Sequence, residues 1–173
     1  MSLLKIIHYP DPVLLSVGRP VSDEEFGREL SLLVENMFET MHEARGVGLA
    51  APQIGVSKRL FVMDVPSTDG KSQKQVFVNP EVVHVEGNQT GEEGCLSFPG
   101  IFQSVQREMR VVVRAQDING ASFEEDLSQL AARCVLHETD HCDGIVFIDR
   151  MTPLKRELAK RKIRKLQRTG EWV

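Results

Sequence analysis

Apolar residues at Phe26, Leu30, Leu33, Met37 and Met41 recur every three to four positions, which places them on one side of a helix. Ser22-Asp23-Glu24-Glu25 just ahead has the form of a capping box and predicts where that helix starts. Its end falls within residues 44–46, and an extended segment containing Pro10 and Pro12 precedes it. The pattern then changes to short strands. Residues 59–65 are rich in Leu, Phe and Val, and residues 75–79 and 81–86 flank Pro80. Residues 110–115 and 121–125 are separated by Asp117-Ile118-Asn119-Gly120, whose Asn-Gly favours a tight hairpin turn. A second helix is expected over 128–142, stopping at Gly144. It is apolar on much of its circumference (Leu130, Ala131, Ala132, Cys134, Val135, Leu136), so it should be buried. Thr152-Pro153 is an N-cap followed by proline at the first helical position, and the last helix runs from there to near Gly170. Hairpin-joined strands set among helices argue for an α+β fold. Small, mostly antiparallel sheets would surround a buried central helix, with an N-terminal helix and a C-terminal helix, in one domain over residues 1–173.

Composition narrows the class. The chain has 173 residues, 41% hydrophobic and 27% charged, which suits a globular domain with a substantial core. A net charge of -4 gives no bulk reason to bind nucleic acid. No apolar run approaches the length that spans a bilayer, and Met1-Ser2-Leu3-Leu4-Lys5 lacks the features of a signal or transit peptide. Cys95, Cys134 and Cys142 are odd in number and without framework spacing, so a reducing cytoplasm is expected rather than a disulfide scaffold.

The central helix carries His137-Glu138-Thr139-Asp140-His141, which reads H-E-x-x-H. Four residues advance a helix by about 400°, so the two histidines stack one turn apart and can share a divalent ion. Glu138 stands beside that ion, off the ligand axis, where a carboxylate can take a proton from water and pass it on. The pattern is short and arises on exposed helices by accident. It also leaves the site one protein ligand short of the usual catalytic three.

Glu92-Glu93-Gly94-Cys95-Leu96-Ser97 is the best place to look for the third ligand. A cysteine between glycine and a small polar residue, in a segment without clear periodicity, is poorly placed for core packing. Cys134 and Cys142 are its rivals, although one short helix rarely supplies three ligands to one ion. Gly46-Val47-Gly48-Leu49-Ala50-Ala51-Pro52-Gln53 is the other informative stretch. It contains the G-x-G-x-x-A form of a dinucleotide fingerprint, but it follows a helix, and Pro52 sits where a phosphate-binding helix would begin. A Gly-rich bend with a glutamine has two readings: a tight connection with Gln53 solvated, or an amide and backbone N–H groups that meet a peptide-like substrate.

Together, residues 46–53, Glu93-Gly94-Cys95-Leu96-Ser97 and His137-Glu138-Thr139-Asp140-His141 resemble the three motifs of peptide deformylase, in the same order. The resemblance covers nearly the whole chain. The ending, Met151-Thr152-Pro153-Leu154-Lys155 with its basic helix, is similar to the bacterial type I enzymes of the Gram-negative kind. It implies hydrolysis of the N-formyl group from the initiator formyl-methionine of new polypeptides, releasing formate. It implies that Cys95, His137 and His141 bind one divalent metal, usually Fe(II), with Zn, Ni or Co able to occupy the site. Glu138 would move the proton, and the Leu96 backbone N–H and the Gln53 amide would stabilise the oxyanion. Val47, Leu130, Cys134 and the His137 ring would form the methionine pocket. The peptide would lie extended along residues 47–49, and crowding near Gly94 and Cys95 would exclude larger acyl groups. Glu93 and an Asp140–Arg107 pair are candidates to orient the ligands.

Several positions depart from the family pattern. Leu136 and Cys142 flank the histidine motif where Gln and Leu are common. Arg133 stands where an apolar pocket residue is frequent; either its stem lines the pocket with the head in water, or it points elsewhere. Gly100-Ile101-Phe102 replaces a more polar run. The last helix carries Lys155, Arg156, Lys160, Arg161, Lys162, Arg164, Lys165 and Arg168 against Glu157 alone. It reads as a solvated face or, by resemblance, as a surface that docks on the ribosome near the exit tunnel. A monomer is expected. Two other readings remain open at this point. One is an H-E-x-x-H metallopeptidase whose third ligand is not Cys95, and the other is a non-enzymatic ribosome-binding module with a structural metal.

Overall fold

In the computed structural model, which describes residues 2–172, the Ser22 capping box forms but does not start the long helix. The Ser22 N–H donates to Glu25 Oε2 at 2.7 Å and closes a 3-10 turn over Asp23–Glu25. Phe26 follows in extended conformation and packs into the core. Helix α1 therefore begins later than the box suggests, at Arg28–Glu43, and buries Leu30, Val34, Met37, Phe38 and Met41. It ends as expected: Arg45 is left-handed at φ 59°, and the Gly46 N–H donates to the Met41 carbonyl at 2.9 Å.

Strands β1 (Gly48–Ala50), β2 (Leu60–Asp64), β3 (Lys74–Glu86), β4 (Gln89–Cys95), β5 (Phe98–Arg107), β6 (Arg110–Gln116) and β7 (Ser122–Ser128) follow in order. All pair antiparallel, in a five-stranded sheet ordered β1-β2-β3-β6-β7 and a separate β4–β5 hairpin. The two strands expected on either side of Pro80 are one bent strand. The ladder with β6 slips between Val78 and Glu81, and Asn79 takes φ 52° there. Proline cannot donate to a ladder, and the bulge removes the need. The Asn79 side chain secures it, donating to the Val21 carbonyl at 2.9 Å and accepting from the Val21 N–H at 2.8 Å. The hairpin at Asp117–Gly120 forms as its Asn-Gly predicts, with Gly120 at φ 86°.

Strand β7 runs straight into helix α2 (Gln129–Cys142), and α3 (Pro153–Arg168) closes the fold. Helix α2 lies on one face of the large sheet. There Phe61, Phe77, Val111, Val113 and Val135 form one apolar cluster, while α1 covers Leu49, Leu60, Val62 and Val78 on the other side. Each such fully buried side chain contributes about 1.5–3 kcal/mol relative to exposure. A third cluster, with Phe98, Val105, Phe147, Ile148 and Ile163, joins the β4–β5 hairpin to α3. Every residue of α2 from 132 to 142 is buried, including Arg133, His137, Glu138, Asp140 and His141. A buried polar group without a partner costs about 1–3 kcal/mol, more if charged, so this helix needs partners for its polar side chains. The architecture is α+β, with antiparallel sheets around a buried helix. No helix among the described residues is long and apolar enough to cross a membrane.

Candidate metal centre and adjoining cavity

The end of β4 and the middle of α2 meet. Cys95 Sγ, His137 and His141 place their ligand atoms within 4.8 Å of one another, although 41 residues separate Cys95 from His137 in sequence. Cys95 Sγ lies 3.4 Å from His141 Nε2. Tetrahedral bonds of about 2.3 Å to sulfur and about 2.0–2.1 Å to nitrogen would set such a pair about 3.5 Å apart. The rings of His137 and His141 stand edge-on with centroids 5.0 Å apart, as the four-residue step requires.

The electrostatics also suit a cation. Burial works to lower His137, but the Glu138 charge and the hydrogen bonds to Cys95 and Glu93 prevail and draw it well above the usual imidazole range. The surroundings thus favour positive charge at this point, which a divalent ion supplies. Burial, with the charges of His137 and Arg107, pushes His141 well below that range, as a neutral ligand needs. The residues present fit a metal with three protein ligands.

His137 Nδ1 lies 2.7 Å from Glu93 Oε2, which leaves Nε2 for the centre. Arg107 grips Glu93 with Nε at 3.0 Å and Nη2 at 2.8 Å, and donates through Nη1 to Asp140 Oδ2 at 2.7 Å. Arg150 closes the far side of Asp140 at 2.9 and 3.0 Å. Burial works to raise the Glu93 carboxyl, but the bonds from His137 and Arg107 hold it well below the usual carboxylate range. Glu93, Arg107 and Asp140 are thus joined as the sequence suggested. Arg150, beyond the end of α2, gave no sequence signal.

A cavity of about 390 Å³ opens beside the centre. Val47, Gly48, Gln53, Gly94, Cys95, Leu96, Leu130, Arg133, Cys134, His137 and Glu138 all line it, whereas His141 lies behind. Gln53 is buried, not solvated. Its Oε1 accepts from the Ala50 N–H at 2.9 Å, which turns Nε2 toward Cys95 Sγ at 3.6 Å and Ser97 Oγ at 3.2 Å. The Gly-rich bend that carries Gln53 contains strand β1 followed by a 3-10 turn over Ala51–Ile54. Glu138 is buried with no partner for Oε1, and burial pushes its carboxyl up to about 7. Cys134 stays out of the metal cluster, its thiol 3.7 Å from the Val47 carbonyl, and Cys142 packs in the core.

Two features correct or extend the sequence reading. The Arg133 head does not reach water: it is buried and donates to Glu93 Oε1 at 2.9 Å and to the Val105 carbonyl at 3.0 Å. The crowding at Gly94 comes from Phe102, its partner across the hairpin; a Cβ on Gly94 would stand 2.5 Å from that ring.

The family model described as Polypeptide deformylase matches residues 3–157. A peptide deformylase of Acidobacterium capsulatum is 52% identical over 172 residues, covering 99% of this chain and 100% of its own. One from Chromobacterium violaceum is 45% identical, covering 97% of this chain and 98% of its own. The crystal structure of a peptide deformylase from Legionella pneumophila superposes with a TM-score of 0.87 at 45% identity, covering 98% of both chains. Likeness of this length and strength, with the Cys95 sulfur and both imidazoles already brought together by the fold, leaves neither the peptidase nor the binding-module reading standing: the chain belongs to the polypeptide deformylase family.

Proposed function

We propose that this chain hydrolyses the N-formyl group of formyl-methionine at the start of new polypeptides, releasing formate, at the centre formed by Cys95, His137 and His141. The observation that supports it most is the three converging ligand atoms with the Glu138 carboxylate beside them at the head of a cavity. A divalent ion held there supplies Lewis acidity, lowering the pKa of water and polarising the formyl carbonyl. Fe(II) is the ion we assign in the cell, with Zn, Ni or Co in preparations; a thiolate–imidazole set accepts all four.

The chain's own residues do the rest. Glu138 takes the proton from the attacking water and delivers it to the departing amine, work typically worth about 10²–10⁴-fold. Its Oε1 has no competing partner. The Gln53 amide, fixed by Ala50, and the Leu96 backbone N–H stabilise the carbonyl oxygen as it gains charge, each donor worth about 3 kcal/mol. Val47, Leu130, Cys134 and the His137 ring receive the methionine side chain. The Phe102 ring over Gly94 keeps the acyl site small enough for formyl. Strand β1 pairs only with β2 among the described residues, so its other edge is available to an extended peptide beside Val47 and Gly48. Helix α3 buries only Ala159 and Ile163 and turns its basic side chains outward, as docking on the ribosome near the exit tunnel requires. We assign the protein to the cytoplasm, as a monomer.

Formate release from formyl-Met-Ala-Ser by anaerobic Fe(II) or reconstituted Ni(II) protein tests this reading. Release of formate, with an unformylated peptide left intact, is the expected result; cleavage of the unformylated peptide, or no formate from fully loaded protein, overturns it. Gly48 offers a narrower check. A Cβ there would stand 2.7 Å from Glu138 Oε2 and 2.9 Å from Cys134 Sγ, so Gly48→Ala must shift the carboxylate. A displacement of this kind should lower kcat by about 10- to 100-fold while metal content stays at one ion per chain. Initial rates alongside elemental analysis measure both.

A further inference from the structure

Glu93 is held by two buried guanidinium groups, and the second serves no obvious need. Arg107 already grips both carboxylate oxygens. Arg133 approaches from the cavity side, one helical turn before His137, and gives Nη1 to Glu93 Oε1 at 2.9 Å and to the Val105 carbonyl at 3.0 Å. Each oxygen therefore meets two donors: Oε1 takes Arg107 and Arg133, and Oε2 takes Arg107 and His137. The local balance is three cations (Arg107, Arg133, Arg150) against two carboxylates (Glu93, Asp140), all linked by hydrogen bonds. Arg133 is an expensive residue to bury here. Its Nη2 has no partner, and its guanidinium lies against Gly91, where a Cβ would stand 3.4 Å from Nη2, 3.7 Å from Cζ and 3.9 Å from Nε.

What the arrangement gains is rigidity. The Arg107 fork holds Glu93 from β5 and sets both the plane and the position of its carboxylate on that side. Arg133, anchored on the Val105 carbonyl, adds a second charged donor to Oε1 from α2, so the carboxylate is also tied to the helix that carries His137. Because Oε2 is the partner of His137 Nδ1, a shift of the carboxylate on loss of that tie would turn the imidazole.

We infer that Arg133 is a positioning residue: from the pocket wall it pins Glu93 and thereby sets the orientation of the His137 ring. The inference rests on the metal site proposed above and adds to it a residue that couples the side-chain pocket to the ligand sphere. Three variants test it: Arg133→Met, Arg133→Lys and Arg133→Gln. The last is shorter and uncharged, so it removes the ion pair with Glu93 while keeping a polar head.

The readouts are the visible spectrum of cobalt(II)-loaded protein, the rate of Ni(II) release to a chelator, and kcat and KM for formyl-Met-Ala-Ser. For Arg133→Met the cobalt spectrum should change and Ni(II) release should quicken. The accompanying fall in kcat should be about 10-fold, the low end of what loss of a direct partner of a metal ligand costs, because Arg133 acts one contact further out, with KM moving less. Arg133→Lys should recover most of the loss, and Arg133→Gln should reproduce the spectral change. An unchanged spectrum and release rate in folded Arg133→Met, or a rise in KM alone, would show a mere wall residue and overturn the inference. Should Arg133→Met fail to fold, an unchanged spectrum and release rate in folded Arg133→Gln overturn it equally. The spectral and release shifts do not depend on turnover. Were wild-type protein to bind cobalt and show them but release no formate, the hydrolase reading would fall and this one would stand.

Discussion

Cys95→Ala is expected to abolish tight metal binding while leaving the fold intact. Two imidazoles from a single helix remain in that variant, and two ligands do not make the three that a catalytic centre keeps. No other thiol can step in. Cys134 Sγ lies against the Val47 carbonyl on the cavity wall, and Cys142 is fully buried in the core between α2 and the sheet. Losing only an outer partner of a ligand costs about 10–100-fold in affinity, so losing a ligand should exceed about 100-fold. Cys95 is half-buried at the end of a hairpin whose other pairings do not use its thiol, so circular dichroism should match wild type. Elemental analysis after dialysis, with titration by Co(II) or Ni(II), measures the loss. One ion per chain still bound after dialysis would show that sulfur is not a ligand and would remove the basis for placing the reaction here.

That prediction depends on the least legible contact in the chain. The H-E-x-x-H spacing shows which two side chains share a helix face, because helical geometry is local. Nothing local shows that residue 95 reaches residue 137. Strand β4, which carries Cys95, is written in Gln, Thr, Gly and Glu, with no alternation of apolar residues, and the side chain it buries, Glu93, sits in an ion network. Its order comes from Arg107, Arg133 and His137 gathering on Glu93, partners supplied by β5 and α2. For the same reason the sequence leaves the direction of Arg133 open between a head in water and one pointing elsewhere. Only the fold supplies the carboxylate that lets its head stay buried. Amphipathic elements were easier. The α1 stripe, the Asn-Gly hairpin and the Thr152-Pro153 start of α3 depend on neighbours in sequence and form as expected. The capping box misled by a few residues because it closes a 3-10 turn of its own, after which Phe26 runs extended and packs against the core before α1 begins. Pro80 misled because a bulge let the strand continue through it.

Glu138→Gln separates binding from turnover. The amide matches the carboxylate in size, so the cavity and the centre should be preserved, and Glu138 is not among the three clustered ligands. Metal content should stay at one ion per chain, and the cobalt(II) spectrum should show the same coordination number. What the amide cannot do is accept a proton. The rate on formyl-Met-Ala-Ser should therefore fall by about 10²–10⁴-fold, the share that proton transfer by a placed side chain usually supplies. Stability should move the other way or not at all. Glu138 is buried, its Oε1 has no hydrogen-bond partner, and burial disfavours its charge. Replacing that group by a neutral one removes a desolvation cost, so the metal-free variant should melt no lower than metal-free wild type. A residue kept at a cost to folding and needed only for turnover is what a proton carrier should look like. Wild-type rates in metal-loaded Glu138→Gln would assign the proton transfer to another group. A variant that loses its metal would instead make Glu138 part of the binding site and leave the base unidentified.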